Sequence, residues 1–230
     1  MSRYRAVLFD FDNTLVDYSA AEEEALRLAL SGCGILRGEE DWLAFRACFE
    51  PASLHYWLKR DAYTAEEMTY LTFRDALRQF TGRDDAARKL ADLYWERFCS
   101  LCRFEPGARD VLDHLSGRYR LGIVTNGLAA AQRRRLAACG IAGRFQAVVI
   151  SDEVGCRKPD PRVFEIALDL LGVRPAETLF VGDSVSDDYE GAKNAGIPFC
   201  FYNRKKIALD DGFRPDHVIE SLEQLKAIVP

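Results

Sequence analysis

Residues 7–16 read Val-Leu-Phe-Asp-Phe-Asp-Asn-Thr-Leu-Val, an apolar run interrupted by two carboxylates. The β-branched and aromatic residues at its start predict a buried strand, and Asp10 and Asp12 fall where this strand leaves its sheet. In open α/β sheets, ligands bind beyond the carboxyl ends of the strands. Carboxylates this close repel each other, so they need a cation such as Mg2+ or a shared proton. The simpler alternative is an acidic turn that only caps the strand.

The chain after residue 104 alternates between strand-like and helix-like segments, which predicts βαβ units and a parallel sheet. Gly140, Gly172 and Gly196 fall just past predicted helix ends, where glycine is the usual stop. The predicted strands cover residues 121–125, 147–150, 178–181, 198–202 and 217–219. The predicted helices cover residues 108–115, 129–139, 161–171, 186–195 and 222–228.

Residues 17–103 carry helical patterns with no clear strand. An all-helical block inserted after the first strand predicts a cap over the active edge of the sheet. We therefore expect an α/β fold, with a Rossmann-like parallel sheet core from residues 1–16 and 104–230 and an inserted all-helical cap domain from residues 17–103. The predicted cap helices cover residues 20–30, 40–49, 65–80 and 84–102, with Pro51 forming a turn after the second.

The composition is that of an ordinary globular protein, with 48% hydrophobic and 29% charged residues in 230. A formal net charge of −5 argues against a nucleic-acid polymer as partner. No apolar stretch approaches the roughly 20 residues that span a bilayer, and the first strand leaves no room for a signal peptide. We expect a cytoplasmic monomer or homodimer that binds a small molecule and no membrane.

The seven cysteines are an odd number scattered through apolar segments. This pattern favours reduced thiols over a disulfide framework. Cys99 and Cys102 form an isolated C-x-x-C, which lacks the second pair of ligands that a structural zinc site needs.

Two polar motifs lie beyond this first pair of carboxylates. Thr125-Asn126-Gly127 ends a predicted strand, and its hydroxyl, amide and accessible backbone suit phosphoryl oxygens, although Asn-Gly is also a common turn. Lys158, in a proline-stiffened loop, could bring a positive charge to an anionic site, although most lysines are solvent-exposed.

A third motif, Gly182-Asp183-Ser184, ends another predicted strand, which places Asp183 to complete a metal site with Asp10. Asp187 and Asp188 follow at a helix start. A carboxylate there either caps the helix or orients the waters of a bound metal.

The four motifs resemble those of the haloacid dehalogenase-like (HAD) hydrolases in content and order, and the insertion after the first strand fits the same layout. Residues 123–196 look most like bacterial pyrimidine 5'-nucleotidases and, somewhat less, N-acylneuraminate 9-phosphatases. The motifs are Asp10-Phe-Asp12-Asn-Thr14, Thr125-Asn126-Gly127, Lys158-Pro159 and Gly182-Asp183-Ser184-x3-Asp188.

This resemblance implies an Mg2+-dependent phosphatase with an aspartyl-phosphate intermediate. Asp10 would be the nucleophile, Asp12 the general acid and base, and Lys158 the group that stabilises the charged intermediate. The implied metal ligands are Asp10, Asp12 and Asp183. The implied phosphate-binding residues are Phe11, Thr125, Asn126, Gly127 and Lys158, and the supporting residues are Thr14, which we expect to bond the loop backbone, Ser184, Asp187 and Asp188.

Asp12 argues against dehalogenase chemistry, because a leaving halide needs no proton donor. A phosphomutase would use the same motifs and stays open. A catalytically silent binding module with the same fold is the alternative from another class.

Substrate choice should lie in the inserted helices, because the core motifs serve any phosphoryl group. Residues 49–63 are rich in aromatic and basic side chains on which a nucleobase could stack, although aromatic residues at helical spacing more often form a core. We expect a nucleoside 5'-monophosphate, with a sugar or acid-sugar phosphate as the alternative. The candidate cap contacts are Arg46, Phe49 and Trp57.

Overall fold

The computed structural model describes residues 3–210 and 212–230. The chain forms two compact units, which we call the core unit (Met1–Tyr18 and Cys102–Pro230) and the helical unit (Ser19–Leu101). Whether the helical unit acts as a cap stays a prediction. Across the described ranges, no helix combines the length and apolarity that a membrane crossing requires.

The core unit contains a six-stranded parallel sheet in the order β3-β2-β1-β4-β5-β6 within the described residues. The predicted α/β fold is therefore confirmed. Phe9, the last residue of the central strand, lies opposite Ile123 of β2 and Val181 of β4, so these three strands end side by side. The strands are β1 Ala6–Phe9, β2 Arg120–Thr125, β3 Ala147–Ile150, β4 Thr178–Gly182, β5 Phe199–Tyr202 and β6 His217–Ile219.

Both faces of the sheet are covered, which explains why β1 is a continuous apolar run rather than an alternating one. Val7 and Phe9 pack into one apolar cluster, whereas Ala6 and Leu8 pack into the other. The core helices are α5 Ala108–Leu115, α6 Ala129–Ala138, α7 Ser151–Val154, α8 Arg162–Leu171, α9 Glu190–Asn194 and α10 Leu225–Ile228.

The segment predicted as a helix at 186–195 begins instead with a π-helical turn, Val185–Tyr189, before α9. The backbone amides of Asp188 and Tyr189 both donate to the Ser184 carbonyl, at 3.2 and 3.1 Å. This shared acceptor widens the turn, and π-turns of this kind are frequent at functional sites.

The helical unit is formed by four helices, and one of them corrects the sequence prediction. Pro51 lies inside α2 and does not form a turn. Trp42, Phe45, Phe49 and Tyr56 are buried on both sides of the proline, and we attribute the uninterrupted helix to this packing, which outweighs the local cost of proline. The helices are α1 Tyr18–Gly32, α2 Glu39–Leu58, α3 Ala65–Thr81 and α4 Ala87–Ser100.

Two connecting segments of the core unit, residues 15–17 and 103–105, lie side by side, and we call them the connector ribbon. The Asp17 amide donates to the Arg103 carbonyl at 2.8 Å, and the Glu105 amide donates to the Leu15 carbonyl at 3.0 Å. The Arg204 guanidinium pairs with Asp17 at 3.1 Å and with Glu105 at 3.0 Å. One cation therefore holds both segments.

Cys102 and Cys139 form a disulfide, with their Cα atoms 5.1 Å apart, which corrects the expectation that the thiols are reduced. The pairing joins residues 37 apart in sequence. Their proximity is a product of the fold, and counting cysteines could not reveal it. Cys33, Cys48, Cys156 and Cys200 are not part of this disulfide.

Candidate active site

The loop after β1 presents Asp10 and Asp12 from a tight turn. The amides of Leu15 and Val16 both donate to the Phe11 carbonyl, at 3.0 and 3.1 Å. Asn13 adopts a left-handed conformation with φ 58°, which asparagine tolerates better than most residues. The Phe11 side chain is fully buried in the apolar core. The turn thus anchors the loop through Phe11 while its two carboxylates take different partners.

Asp10 belongs to a buried group of charges that we call the Asp10 cluster: Asp10, Lys158, Asp183 and Asp188. The Lys158 Nζ donates to Asp10 Oδ1 and to Asp188 Oδ1, each at 2.6 Å. One carboxylate oxygen from each of the three aspartates lies within 4.8 Å of the others. Lys158 is only 3% exposed, so it is a buried ion-pair partner rather than a surface lysine.

The Asp10 cluster contains more negative than positive charge. Burial raises the pKa of Asp10 well above its ordinary value, and Asp188 and Asp183 raise it further against the opposing effect of Lys158. Burial, followed by the charge of Asp188, raises the pKa of Asp183 to about 7. Burial alone would lower the pKa of Lys158, but Asp10 and Asp188 outweigh it and raise the pKa. Lys158 therefore stays charged, and three carboxyl groups surround this single ammonium group.

Asn126 positions Lys158 through its backbone. The Asn126 Oδ1 accepts a hydrogen bond from the Lys158 amide at 2.9 Å, and its Nδ2 donates to the Lys158 carbonyl at 2.9 Å. The sequence predicts a phosphate contact for Asn126. In the structure, the Asn126 side chain instead bonds to the backbone of Lys158. Asn126 therefore fixes the loop from which Lys158 reaches the carboxylates.

The end of β4 positions Asp188. The Ser184 amide donates to Asp188 Oδ2 at 2.9 Å, and the Ser184 hydroxyl accepts from the Asp187 amide at 3.2 Å. A Cβ at Gly182 would lie 2.4 Å from Asp188 Oδ2, so only glycine fits there without displacing this carboxylate. The sequence did not distinguish between Asp187 and Asp188 as the residue that supports the site. In the structure, Asp188 accepts a hydrogen bond from Lys158.

Asp12 belongs to a second group, the Asp12 cluster: Asp12, Gln132 and Arg135. The Arg135 Nη1 donates to Asp12 Oδ1 at 2.5 Å and to Gln132 Oε1 at 2.9 Å. The Gln132 Nε2 donates to Asp12 Oδ2 at 2.8 Å and to Thr125 Oγ1 at 2.9 Å. Sequence reasoning missed both residues of α6. Their signal would have been two polar residues three positions apart that face the sheet.

The structure places Asp12 and Thr14 in surroundings that the sequence did not predict, and a metal-binding role for Asp12 stays a prediction. The side chain of Asp12 bonds to α6 and lies outside the group of clustered carboxylates, Asp10, Asp183 and Asp188. The Thr14 hydroxyl, expected to bond the loop backbone, is buried with no hydrogen-bond partner among the residues described. The nearby amides of Leu15 and Val16 already donate to Phe11, which leaves Thr14 a packing role.

The candidate contacts in the helical unit fall into different environments. Phe49 is buried and packs on Phe73 and Tyr94, so it is a core residue of this unit rather than a surface contact. Arg46 pairs with Glu50 on the same helix. The Trp57 ring is half-buried beneath the Arg60 guanidinium, at 4.7 Å from its centroid.

Comparison with known proteins identifies the family of this fold and site. Residues 4–196 match the model of the haloacid dehalogenase-like hydrolases. The chain is a haloacid dehalogenase-like hydrolase. The predicted family and the predicted hydrolase class are thereby confirmed.

Relatives of this HAD-like hydrolase align with it over nearly their whole length. It is 31% identical to pyrimidine 5'-nucleotidase PynA of Streptococcus pneumoniae over 96% of this chain and 93% of the relative. It is 28% identical to the N-acylneuraminate-9-phosphatase of Rattus norvegicus over 100% and 95%. The magnesium-bound crystal structure of the HAD-hydrolase YfnB from Bacillus subtilis is similar to it, with a TM-score of 0.81, 27% identity and 99% of each chain covered.

Proposed function

We propose that this hydrolase is an Mg2+-dependent phosphatase that cleaves a small phosphomonoester through an aspartyl-phosphate on Asp10. The observation that carries the proposal is the buried Lys158, which bridges Asp10 and Asp188 at 2.6 Å beside Asp183. A nucleophilic carboxylate, a fixed cation and a surplus of carboxylates at the ends of parallel strands are the parts that phosphoryl transfer requires.

In the first step, Asp10 attacks the phosphorus atom. Lys158 holds the carboxylate by Oδ1, so we assign the attack to Oδ2. The new bond joins this oxygen to phosphorus while the ester bond breaks, and Asp12 gives a proton to the departing alkoxide. Lys158 offsets part of the negative charge that accumulates, because its ammonium lies against the nucleophile.

In the second step, water hydrolyses the acyl-phosphate. Asp12, now a carboxylate, takes a proton from the water as its oxygen attacks phosphorus. Inorganic phosphate leaves, and the Asp10 carboxylate is restored. The Asp12 side chain is 25% exposed, so the same group is accessible for both proton transfers.

The donor set of the Asp10 cluster fits a hard divalent cation, because oxygen ligands and excess negative charge are what Mg2+ prefers. Asp10 and Asp183 would hold it, whereas both oxygens of Asp188 already accept hydrogen bonds from Lys158 and Ser184. When bound, Mg2+ supplies the positive charge that lets a phosphate dianion approach the Asp10 carboxylate.

A nucleoside 5'-monophosphate is the substrate that we propose, and the similarity to PynA supports it. The alternative is a sugar or acid-sugar phosphate, which the similarity to N-acylneuraminate-9-phosphatase supports. A silent binding module is disfavoured, because every charged residue of the four motifs is present and buried or half-buried. Trp57 and Arg46 stay predictions as substrate contacts.

The test is a panel of phosphomonoesters with Mg2+, with inorganic phosphate release as the readout. It compares the wild type with Asp10→Asn and with Asp92→Asn, a matched change at an exposed residue of α4. The wild type and Asp92→Asn should release phosphate, and nucleoside 5'-monophosphates should be preferred.

Three results would contradict parts of the proposal. Preference for hexose or acid-sugar phosphates would replace the substrate and keep the chemistry. Transfer of the phosphoryl group to a second hydroxyl without phosphate release would indicate a mutase. Halide release from 2-haloacids with no phosphate release from any ester would overturn the phosphatase assignment.

A further inference from the structure

The Asp12 cluster is a closed ring of hydrogen bonds. Arg135 and Gln132 each donate to a different oxygen of Asp12, and Arg135 also donates to the Gln132 carbonyl oxygen. Both residues are only 2% exposed. A carboxylate whose two oxygens are held by two buried donors cannot rotate without breaking one of these bonds.

The chain makes room for this ring and fixes its arginine. A Cβ at Gly127 would lie 2.6 Å from Gln132 Nε2, so a glycine is required for the glutamine to reach Asp12. The Arg135 guanidinium lies 5.1 Å from the centroid of the Phe11 ring and 5.6 Å from that of Tyr18. Phe11 is the residue between the two aspartates, so the arginine packs on the same loop that it holds.

Gln132 also connects Asp12 to the predicted phosphate-binding residues. Its Nε2 donates to Thr125 Oγ1 at 2.9 Å as well as to Asp12. One amide group therefore sets the position of the Asp12 carboxylate relative to the Thr125 hydroxyl. Proton transfer to a leaving oxygen depends on that relative position, because it requires hydrogen-bond distance to the ester oxygen.

We propose that Gln132 and Arg135 are positioning residues, which hold Asp12 for proton transfer to the leaving oxygen. This inference rests on the proposed phosphatase function. The competing explanation is that the ring is only a buried ion pair that stabilises the fold. The two explanations differ in how the loss of the ring should depend on the leaving group.

The experiment measures kcat/KM for two esters at saturating Mg2+. An alkyl phosphomonoester releases an alkoxide that needs a proton, whereas para-nitrophenyl phosphate releases a stable phenolate that needs none. The variants are Gln132→Leu, which keeps side-chain bulk without the hydrogen-bonding amide, and Arg135→Met, which keeps chain length without the guanidinium group. General acid catalysis contributes about 10²- to 10⁴-fold. We expect about a 30-fold loss or more on the alkyl ester and less than about a threefold loss on para-nitrophenyl phosphate.

Two further variants make the test independent of the buried charge. Gly127→Ala would push Gln132 away while Gln132 and Arg135 both remain, and should lower kcat/KM more for the alkyl ester than for para-nitrophenyl phosphate. Arg135→Lys, which keeps the positive charge, should recover part of the alkyl ester activity. Far-ultraviolet circular dichroism and thermal unfolding identify any variant that fails to fold, and Gln132→Leu then carries the test.

Equal losses on both esters would overturn the positioning role and leave a structural ion pair. No loss on either ester from folded Gln132→Leu and Arg135→Met would overturn it as well. A wild-type enzyme that hydrolyses neither ester, nor any other phosphomonoester, would overturn the phosphatase function and this inference together. If the wild type hydrolyses the esters and the variants lose equal activity on both, the phosphatase function stands and only the positioning role of Gln132 and Arg135 is overturned.

Discussion

Asp10 and Asp12 are separated by one residue, yet their surroundings differ in charge balance. The Asp10 cluster sets three carboxylates against one ammonium group. The Asp12 cluster sets one carboxylate against one guanidinium group. The first is short of positive charge and the second is balanced. One turn of chain thus presents one carboxylate in a group with few positive charges and another that is paired with a guanidinium group.

The two basic residues suit these different tasks. Lys158 carries a compact charge that reaches two aspartates from different segments, Asp10 and Asp188. Arg135 is planar, and it holds one aspartate and the neighbouring Gln132 in a fixed orientation. Lys158 thus binds two carboxylates at once, whereas Arg135 fixes the orientation of one.

The largest expected effect is the loss of activity on substitution of Asp10, and its dependence on the ester should differ from that at Asp12. Asp10→Asn should lower kcat by more than about a hundredfold on every ester, because an amide cannot form the acyl-phosphate, and that loss corresponds to about 3 kcal/mol or more. Asp12→Asn should lose activity unequally, with para-nitrophenyl phosphate least affected. Steady-state rates on both esters check this. A residual kcat above about a hundredth of wild type in Asp10→Asn would contradict the assignment of the nucleophile.

The second largest effect is expected on removal of the metal, which we assign to the Asp10 cluster. EDTA should abolish turnover and Mg2+ restore it, whereas Ca2+ should inhibit because its larger and looser coordination shell misplaces the oxygens. Asp183→Asn should raise the Mg2+ concentration needed for half-maximal activity by about tenfold or more, which corresponds to about 1.4 kcal/mol, because it removes one carboxylate ligand. Asp92→Asn is the control. An unchanged Mg2+ requirement in Asp183→Asn would remove this residue from the metal site.

A smaller effect should appear in the pH dependence of stability. The pKa of Asp183 is raised to about 7 in the folded chain, above its ordinary value, so the folded state binds a proton that the unfolded state lacks. Its contribution to the stability of the metal-free protein is therefore present at acid pH and lost as pH rises through about 7.

Added Mg2+ should accordingly raise the unfolding temperature more at pH 8 than at pH 6, because it binds the ionised carboxylates. Thermal unfolding with Mg2+ or EDTA at pH 6, 7 and 8 measures this. Asp183→Asn should flatten the pH dependence. A stabilisation by Mg2+ that does not change between pH 6 and pH 8 would argue against proton competition in the Asp10 cluster.

The smallest effect on turnover is expected at the disulfide. Cys139 follows α6, the helix that carries Gln132 and Arg135. Cys139→Ser should lower the free energy of unfolding by about 2–4 kcal/mol, typical for a disulfide. Para-nitrophenyl phosphate turnover should change by less than about twofold, because the Asp10 cluster is not attached to α6. A denaturant titration checks this, with Cys33→Ser as the control. An equal loss in both variants would exclude a stabilising role for the disulfide.

The sequence predicted those parts of the site that lie at strand ends. Asp10, Thr125 and Asp183 follow apolar runs, and the ends of parallel strands meet at one edge of a sheet. The burial of Lys158 was not predictable, since its bonds to Asp10 and Asp188 span 148 and 30 residues. Gln132 and Arg135 were missed because their bonds to Asp12 span 120 and 123 residues. Two polar residues on the buried face of α6 are a local signal, but this signal does not identify Asp12 as their partner.

Local signals failed elsewhere for the same reason. Pro51 indicates a turn by itself, but the buried aromatic residues around it keep α2 continuous. The thiols of Cys102 and Cys139 meet only because the fold brings their segments together. Phe49, in a segment rich in aromatic and basic residues, packs inward with Phe73. In each case a tertiary contact outweighed the local preference.

The connector ribbon makes the helical unit modular. Because hydrogen bonds join Asp17 to Arg103 and Glu105 to Leu15, the insertion leaves the core and returns to it at one closed point. Lengthening a chain segment whose ends are already joined costs little, about 0.6 kcal/mol for each doubling. The helices between these ends can thus be extended, shortened or replaced during evolution without rethreading the sheet. Asp10 and Asp12 would keep their places in the core unit through such changes.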